Sequence, residues 1–491
     1  MDAKNSASHK HVTLLPDDIE KVSLFNLIKE LFSPNISESN LLEHNITKDK
    51  ENKYFHRKMI VLSLLIQILL KRFMDRPLRI LGTAIEDFLN GNLFLRNKRE
   101  RAVEEDDDGF VSFLGQIDTR KELNKDIKHG DSRYYPALTM MASKLSYENE
   151  IYIRKTVSHH WKMEYVKFYD CYNESQKKPT TQAFIMLEET EDDKIIVAFR
   201  GTSPFDADDW STDFDFSWCK VDGMGKIHMG FMVALGLQKY FPEDEDYYGY
   251  FPKQIKQDPH KPLAYYIIRD KLKEMTTNNN RAKIIVTGHS LGGALAILFP
   301  AILALHGEVE LLDKLEAVYT CGQPRVGDEH FGDFMKKSLR KHKIRYYRIV
   351  YGYDIVPTVP FDNTLMTFKH FGTYIHINSF YQGKIVEEEH QKLVKKNGKE
   401  ERVKRYLRLL RVVVMIIIKC MIARLSALWE LIRGFIIGFT MGPYYREGWL
   451  LIGFRIFGLL LPGVANHNPQ DYVNATMLAT EDLFKYYPSH T

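Results

Sequence analysis

A serine lies in a short turn between a strand-like apolar run and a helix-forming segment, within the residues IIVTGHSLGGAL at positions 284–295. Its pattern, Gly288-His-Ser290-Leu-Gly292, has the spacing of a G-x-S-x-G nucleophile elbow, a sharp turn that exposes the serine hydroxyl to a substrate. Glycine is needed on both sides because the strand and helix backbones approach each other closely. The spacing therefore predicts Ser290 as the nucleophile of an acyl transfer, against the alternative of an ordinary glycine-rich turn between a strand and a helix.

A serine hydroxyl is a weak nucleophile, so it needs a base, an orienting carboxylate and hydrogen-bond donors for the oxyanion. A strand-like apolar run at 194–199 leads into Arg-Gly-Thr-Ser, where Thr202 is expected to supply one oxyanion N–H. Leu291, the residue after the serine, is expected to supply the other. A β-rich run at 344–351 delivers Asp354 shortly before a proline, where an orienting carboxylate belongs, although a solvated loop aspartate has the same local pattern.

The base is expected after Asp354 in the chain, because in folds with this elbow the catalytic residues follow in the order serine, acid, histidine. Three histidines fit poorly, in an apparent strand, in a charged segment and near the terminus: His376, His390 and His490. His467 follows Pro-Gly-Val-Ala-Asn in a loop rich in turn formers, which suits a catalytic loop. His370 has aromatic neighbours and a strand-like run after it. The sequence therefore favours His467 as the base and His370 as a packed histidine near the site.

Taken together, these motifs resemble those of the class 3 lipases, the fungal-lipase-like branch of the α/β-hydrolases. The matching pieces are Phe199-Arg-Gly-Thr202, Gly288-His-Ser-Leu-Gly-Gly293, Gly322-Gln-Pro-Arg-Val-Gly-Asp328, Asp354-Ile-Val-Pro357 and His467. Within that family the chain is most similar to the plant oil-body triacylglycerol lipases, which also carry an apolar N-terminal region and a hydrophobic insertion before the catalytic histidine. The resemblance implies an α/β-hydrolase fold with a mostly parallel central sheet. It also implies a Ser290, Asp354 and His467 triad with Thr202 and Leu291 in the oxyanion hole.

Composition agrees with one large catalytic domain and helical appendages in a chain of 491 residues. The net charge of +4 is small for this length and argues against a nucleic-acid binder. Four scattered cysteines favour a reducing setting, although disulfides are not excluded. The adjacent His159 and His160 have no cysteine or carboxylate cluster at ligand spacing, so we expect neither a metal nor a cofactor.

Two apolar regions are expected outside the catalytic domain, which the sequence places at 130–385 and 460–491. Residues 1–54 read as a polar tail without a cleavable signal, and 55–95 as a helical segment that associates with a membrane or droplet. The apolar run at 59–70 is shorter than the ~20 residues of a spanning helix. After it, an apolar face recurs at three- and four-residue steps: Leu78, Leu81, Ile85 and Phe88. The alternative is that the helix predicted at 59–70 and the one that follows it both pack on the core of the enzyme.

The second region is an insertion at 386–459, which explains why 113 positions separate Asp354 from His467. It begins in a solvated charged segment at 384–405 and continues as an amphipathic apolar helix over 406–439. Five bases are expected on one side of this helix: Lys404, Arg408, Arg411, Lys419 and Arg433. Such a basic stripe opposite an apolar face predicts a helix that lies in a membrane interface and does not span it.

These expectations describe a serine lipase that hydrolyses triacylglycerol, and diacylglycerol, through an acyl-enzyme. Its partner would be the monolayer of a lipid droplet or oil body, or a membrane surface facing the cytosol, bound in a peripheral or monotopic way. The alternatives are a phospholipase A1 or galactolipase, and a catalytically silent lipase-like scaffold. The scaffold reading fits poorly because such proteins append a large helical domain, whereas this chain ends 24 residues after His467. Residues 203–218 suit either a mobile lid or a structural loop, and the oligomeric state stays open.

Overall fold

The computed structural model of the protein describes residues 75–90, 110–173, 176–203, 218–237, 251–360, 368–386 and 402–485, with isolated positions between residues 25 and 73. Several sequence expectations fall mostly or wholly outside these residues: the tail at 1–54, the apolar run at 59–70, the lid or loop at 203–218, the charged segment at 384–405, and His390 and His490.

A mixed sheet forms the centre of the fold. The strands are β1 Glu164–Asn173, β2 Lys178–Glu188, β3 Lys194–Phe199, β4 Trp218–Val221, β5 Gly225–His228, β6 Lys283–His289, β7 Leu315–Cys321, β8 Arg345–Tyr351, β9 Thr373–Ile377 and β10 Gly383–Val386. Eight of them pair in the order β1-β2-β3-β6-β7-β8-β9-β10, and β4 pairs with β5 separately. The five strands from β3 to β9 are parallel, while β1, β2 and β10 pair antiparallel. The predicted α/β fold with a mostly parallel central sheet is confirmed.

Helices cover both faces of this sheet. They are α1 Asp75–Leu89, α2 Phe113–Ile117, α3 Tyr134–Leu145, α4 Glu150–Lys155, α5 Met229–Ala234, α6 Ala264–Asn278, α7 Leu291–Leu305, α8 Val309–Lys314, α9 Glu329–Lys341, α10 Arg402–Thr440, α11 Trp449–Gly458, α12 Pro462–Ala465 and α13 Pro469–Leu478. Short helical turns of other types lie at Thr156–His160, Val356–Thr358, Pro443–Tyr445 and Glu481–Phe484.

Strand β3 shows why the central strands are apolar without alternation. Val197 and Phe199 belong to the core shared with α6, α7 and α9, whereas Ile196 and Ala198 belong to the core shared with α3, α4 and α13. Since both faces of these parallel strands are buried under helices, the strands form nearly continuous apolar runs, such as residues 195–199. Because β3, β6 and β8 are parallel, their carboxyl ends lie at the same edge of the sheet. Ligands bind at this edge in folds of this type.

Helix α1 is attached to the catalytic domain near its C-terminal end. The Phe113 N–H donates to the Glu86 carboxylate at 2.9 Å, and the Asn90 amide donates to the Val111 carbonyl at 3.0 Å. Three apolar side chains of the helix are exposed: Ile80, Leu81 and Phe88. The helix is therefore fixed at one end while part of its predicted apolar face lies at the surface.

Helix α10 differs from the sequence expectation at Arg433. The prediction placed Arg433 on a basic stripe opposite an apolar face at a membrane interface, which is wrong for this residue, because its side chain is buried and contacts Asp471 Oδ1 at 3.2 Å. The side chains of the other four predicted bases, Lys404, Arg408, Arg411 and Lys419, lie outside the described residues. Helical spacing reports only which residues share a side of the helix, and here the catalytic domain covers that side near the C-terminal end. None of the helices in the described part of the chain combines the length and apolarity needed to cross a bilayer.

Candidate active site

Ser290 occupies a strained turn between β6 and α7. Its backbone adopts φ 60° and ψ −131°, a left-handed conformation that costs a non-glycine residue about 1–3 kcal/mol. A Cβ added at Gly288 would lie 2.2 Å from the carbonyl carbon of Gly292, and one added at Gly292 would lie 2.2 Å from the carbonyl oxygen of Phe199. Both predicted glycine positions thus have a steric cause, and the turn has the geometry of a nucleophile elbow.

The structure brings Ser290, His467 and Asp354 together although they come from three separate loops. His467 Nε2 lies 2.7 Å from Ser290 Oγ, and His467 Nδ1 lies 2.7 Å from Asp354 Oδ2. A carboxylate can only accept, so Nδ1 carries the proton and Nε2 is left to accept the serine hydroxyl. The side chain of Asp354 is fully buried, whereas that of His467 is partly open to the site. This arrangement can remove the proton from Ser290.

His370 occupies a different position. Its Nε2–H donates to the Pro357 carbonyl at 2.6 Å. Burial, with the nearby charge of Arg348, holds the pKa of His370 well below its usual value. His467, and not His370, is therefore the histidine in hydrogen-bonding contact with Ser290.

Asp354 is held by two further donors. The Val356 N–H donates to Oδ1 at 2.9 Å, and the Tyr472 hydroxyl donates to Oδ2 at 2.5 Å. Burial and the neighbouring Asp354 raise the pKa of Tyr472 well above its usual value, so its hydroxyl keeps the proton that it donates. Sequence reasoning missed Tyr472, because its place on α13 gives no sign that the hydroxyl reaches a loop 118 residues away.

Gly322 lies against the same pair of side chains. Its φ is +60°, and an added Cβ would lie 2.9 Å from His467 Cε1 and 3.0 Å from Asp354 Oδ2. A side chain at this position would displace the imidazole. The glycine that begins the Gly322–Asp328 motif is therefore explained by its contact with the site.

The two residues expected as oxyanion donors lie on backbone segments that flank Ser290. Both Thr202 and Leu291 are buried. The segment after β3 passes so close that a Cβ at Gly201 would lie 2.5 Å from the His289 carbonyl oxygen. Leu291 begins α7, and amides in the first turn of a helix have no partner inside it. The assignment of these two residues as oxyanion donors stays a prediction.

His289 is a buried neighbour of the predicted base. Its ring centroid lies 4.6 Å from that of His467, and its Nδ1 lies 2.9 Å from the Tyr147 hydroxyl. Burial, with the adjacent His467, lowers the pKa of His289 well below its usual value. A neutral ring here adds no positive charge beside an imidazole that must gain a proton during reaction.

Asn466 joins the loop of the acid to the loop of the histidine. Its Oδ1 accepts the Tyr353 N–H at 2.8 Å, and its Nδ2 donates to the two carboxylate oxygens of Glu430 at 3.0 and 2.8 Å. Gly352 has φ +52°, and a Cβ there would lie 2.7 Å from Asn466 Oδ1. The residues next to Asp354 and His467 are thus cross-linked, and α10 supplies the group that orients the cross-link.

Glu430 belongs to a buried cluster of charges that fixes α10 and α11 to α13. Arg455 makes a bidentate pair with Glu447 and contacts Asp471 Oδ1 at 2.9 Å, and Arg433 contacts the same oxygen at 3.2 Å. Buried charges are tolerated only when they are paired and hydrogen-bonded. Removing one partner therefore destabilises such a cluster, typically by about 3–5 kcal/mol.

The pKa of Glu430 predicts a specific pH effect on stability. Burial raises this pKa from 4.5 to about 7, and Asp471 acts in the same direction against Arg455 and Arg433. The folded chain thus binds the proton more tightly than the unfolded chain, and the stability that this provides is lost as pH rises through about 7. Glu430→Gln has no proton to lose at this position. We therefore expect the melting temperature of this variant, relative to that of the wild type, to rise as the pH increases from about 5 to 8. If calorimetry finds the same difference in melting temperature between Glu430→Gln and the wild type at every pH, this prediction is wrong.

Most of this chain is similar in sequence to known proteins. Residues 196–364 match the family described as lipase (class 3). The chain is 38% identical over 475 residues to "Triacylglycerol lipase OBL1" of Arabidopsis thaliana, which covers 89% of this chain and 88% of that protein. It is 36% identical over 498 residues to the protein of the same name in Nicotiana tabacum, covering 86% and 83%. A solved triacylglyceride lipase of Rhizomucor miehei is 23% identical, covering 51% of this chain and 82% of that one, with a TM-score of 0.37.

Proposed function

This chain belongs to the class 3 lipase family and is a carboxylic ester hydrolase, and we propose that it is a serine lipase that hydrolyses triacylglycerol, and diacylglycerol, at a lipid surface. The observation that carries this proposal is the pair of 2.7 Å contacts that His467 makes with Ser290 and Asp354. A silent scaffold has no need of a strained serine in contact with an oriented imidazole.

In the proposed reaction, Ser290 Oγ attacks the ester carbonyl carbon while His467 Nε2 takes the hydroxyl proton. The N–H groups of Thr202 and Leu291 bind the oxyanion of the tetrahedral intermediate. As the carbonyl re-forms, the alcohol leaves as diacylglycerol and takes the proton from His467, which leaves the acyl group on Ser290. Water then attacks the acyl-enzyme with His467 as base, and the fatty acid is released.

The surrounding residues orient His467 and stabilise its protonated form. Asp354 holds the Nδ1–H tautomer of His467 and stabilises the imidazolium, while Tyr472 fixes the carboxylate that does so. His289 stays neutral beside the imidazolium, so it does not oppose its formation. These roles account for polar groups that would otherwise be costly to bury.

Neutral lipid is the proposed substrate for two reasons. Two relatives that match more than four fifths of this chain are named as triacylglycerol lipases. Exposed apolar side chains also lie on α1, α10 and α11. Clusters of exposed apolar side chains on a protein surface mark interaction sites. We propose peripheral or monotopic association of these segments, including residues 55–95, with a lipid droplet or oil body on its cytosolic side. The surface of another membrane, such as the endoplasmic reticulum, would accept the same amphipathic segments and is the alternative location.

A substrate comparison tests this proposal. Purified protein is assayed against emulsified triacylglycerol, diacylglycerol, phosphatidylcholine and galactolipid, with Ser290→Ala as the background control. We expect the triacylglycerol rate to exceed the phospholipid rate at least about tenfold, which is about 1.4 kcal/mol of transition-state discrimination. A reversed ranking would identify a phospholipase A1 or galactolipase instead. No hydrolysis of any of the four would support the silent scaffold.

A further inference from the structure

One stripe of exposed apolar side chains runs along the C-terminal half of α10. Met421, Leu425, Leu428, Ile432, Phe435 and Phe439 recur at steps of four and three residues, which places them on one side of a helix, and all six are exposed. Leu425 is 64% exposed and Phe439 is 90% exposed. A soluble helix normally turns such a stripe toward a core, whereas here the opposite side of the helix is buried.

The stripe continues onto α11. The rings of Phe435 and Trp449 are in contact at 6.4 Å between centroids, and Trp449 is 83% exposed. Ile456 on α11 and Leu460 beyond its end are also exposed. We call the surface formed by this stripe together with Trp449, Ile456 and Leu460 the α10–α11 face.

The charges of these helices are sorted between the two sides. Between residues 420 and 465 the acidic side chains, Glu430 and Glu447, are buried in the charge cluster together with Arg433 and Arg455. The exposed charges of that stretch are Arg424 and Arg446, and both are basic. Surfaces that face water normally mix both signs. An apolar face on a stretch whose own exposed charges are all basic matches the phosphate groups and acyl chains of a phospholipid surface.

Exposed apolar residues continue along the chain from the end of the α10–α11 face toward His467. Leu461 and Val464 are exposed and lie just before His467 in the chain. The Ile355 N–H, next to Asp354, donates to the Gly463 carbonyl at 3.1 Å, which joins this segment to the loop of the acid. Since the buried charge cluster fixes α10 and α11 to α13, the direction of the face relative to Ser290 is set by the fold.

We propose that the α10–α11 face lies in the headgroup region of a phospholipid-covered surface, with both helices parallel to that surface, and so presents Ser290 to the lipid. The proposal rests on the proposed function for the identity of the substrate. It assigns docking to residues 421–464, independently of the segment at 55–95. A second copy of this chain fits less well, because its face would offer the same two arginines and no exposed acid between 420 and 465 to pair with them.

A single fluorescent label tests the contact directly. Cys171, Cys219 and Cys321 are buried and Cys420 is exposed, so Phe439→Cys in a Cys420→Ser background accepts a maleimide dye at one exposed position. We expect its emission to rise several-fold on phosphatidylcholine vesicles, more strongly with phosphatidylserine present, and to be quenched by brominated lipid. The matched control is Val309→Cys on α8, which is 45% exposed and should not respond. Vesicle binding without a response at position 439 would overturn the proposal.

Activity separates this inference from the proposed function. Leu425→Glu combined with Ile432→Glu is expected to lower the rate on emulsified triacylglycerol at least tenfold and to leave the rate on a dissolved short-chain ester within twofold. Equal loss on both substrates, or loss on neither, would contradict docking through this face. An oligomer that the same variant dissociates, with unchanged vesicle binding, would instead make the face a contact between copies. A label response without hydrolysis of any lipid would reject the proposed substrate and leave the docking intact.

Discussion

Ser290→Ala is expected to lower kcat/KM for a dissolved short-chain ester by at least about four orders of magnitude, because the variant retains the predicted oxyanion donors but has no nucleophile. The melting temperature should stay within a few degrees of the wild type. The hydroxyl's contact is with His467, and the Cβ that sets the strain of the φ 60° conformation is kept in alanine. Chemistry and folding are therefore expected to separate at this residue.

A buried serine elsewhere provides the matched control. The Ser143 hydroxyl lies 3.0 Å from Thr287 Oγ1 on β6 and donates to the Thr139 carbonyl at 2.8 Å. Ser143→Ala should lower the melting temperature, since a buried hydrogen-bond partner is lost, and change kcat little. Turnover by Ser290→Ala at the wild-type rate would remove the basis for a serine mechanism.

The second large effect is expected at His467. His467→Ala should lose about four orders of magnitude in kcat, because no other base contacts the Ser290 hydroxyl in the described structure. His370→Ala should retain kcat within about tenfold and lose stability, since the Pro357 carbonyl is left without its donor. Steady-state kinetics on a dissolved ester, with thermal melts of both variants, make the comparison. A dead but folded His370→Ala beside an active His467→Ala would reverse the assignment.

The parts of the site that sequence patterns identify are those with local causes. Gly288 can be predicted because the steric conflict that it avoids, with the Gly292 backbone, lies within one turn, whereas Gly292 is identified by the same short motif although the group that it avoids is the Phe199 carbonyl at the end of β3. The parallel strands are readable because burial on both faces demands uninterrupted apolar runs, as at 195–199. Asp354 could be named because it follows such a strand directly. Local turn chemistry favours His467 over His370, and spacing gives no help across an insertion of this length.

The features that sequence reasoning missed depend on contacts between distant segments. The Asn466 cross-link joins Glu430 to the Tyr353 backbone, and neither Glu430 nor Asn466 carries a motif. Arg433 and Arg455 look in sequence like charges of an amphipathic surface, yet they are buried because Asp471 lies on the helix that packs beneath them. Helical periodicity cannot tell which side of a helix packs against protein and which side is exposed. Only the tertiary partners decide that.

The most direct measurement of the central claim is the site of covalent trapping by an alkyl p-nitrophenyl phosphonate. If Ser290 is the activated nucleophile, its Oγ displaces nitrophenolate and stays bonded to phosphorus, because the phosphonate mimics the tetrahedral intermediate. We predict one equivalent of nitrophenolate per chain, a modified peptide that contains Ser290, and no modification of the folded His467→Ala variant on the same timescale. Stoichiometric modification at another residue, with Ser290 unmodified and activity lost, would contradict the account.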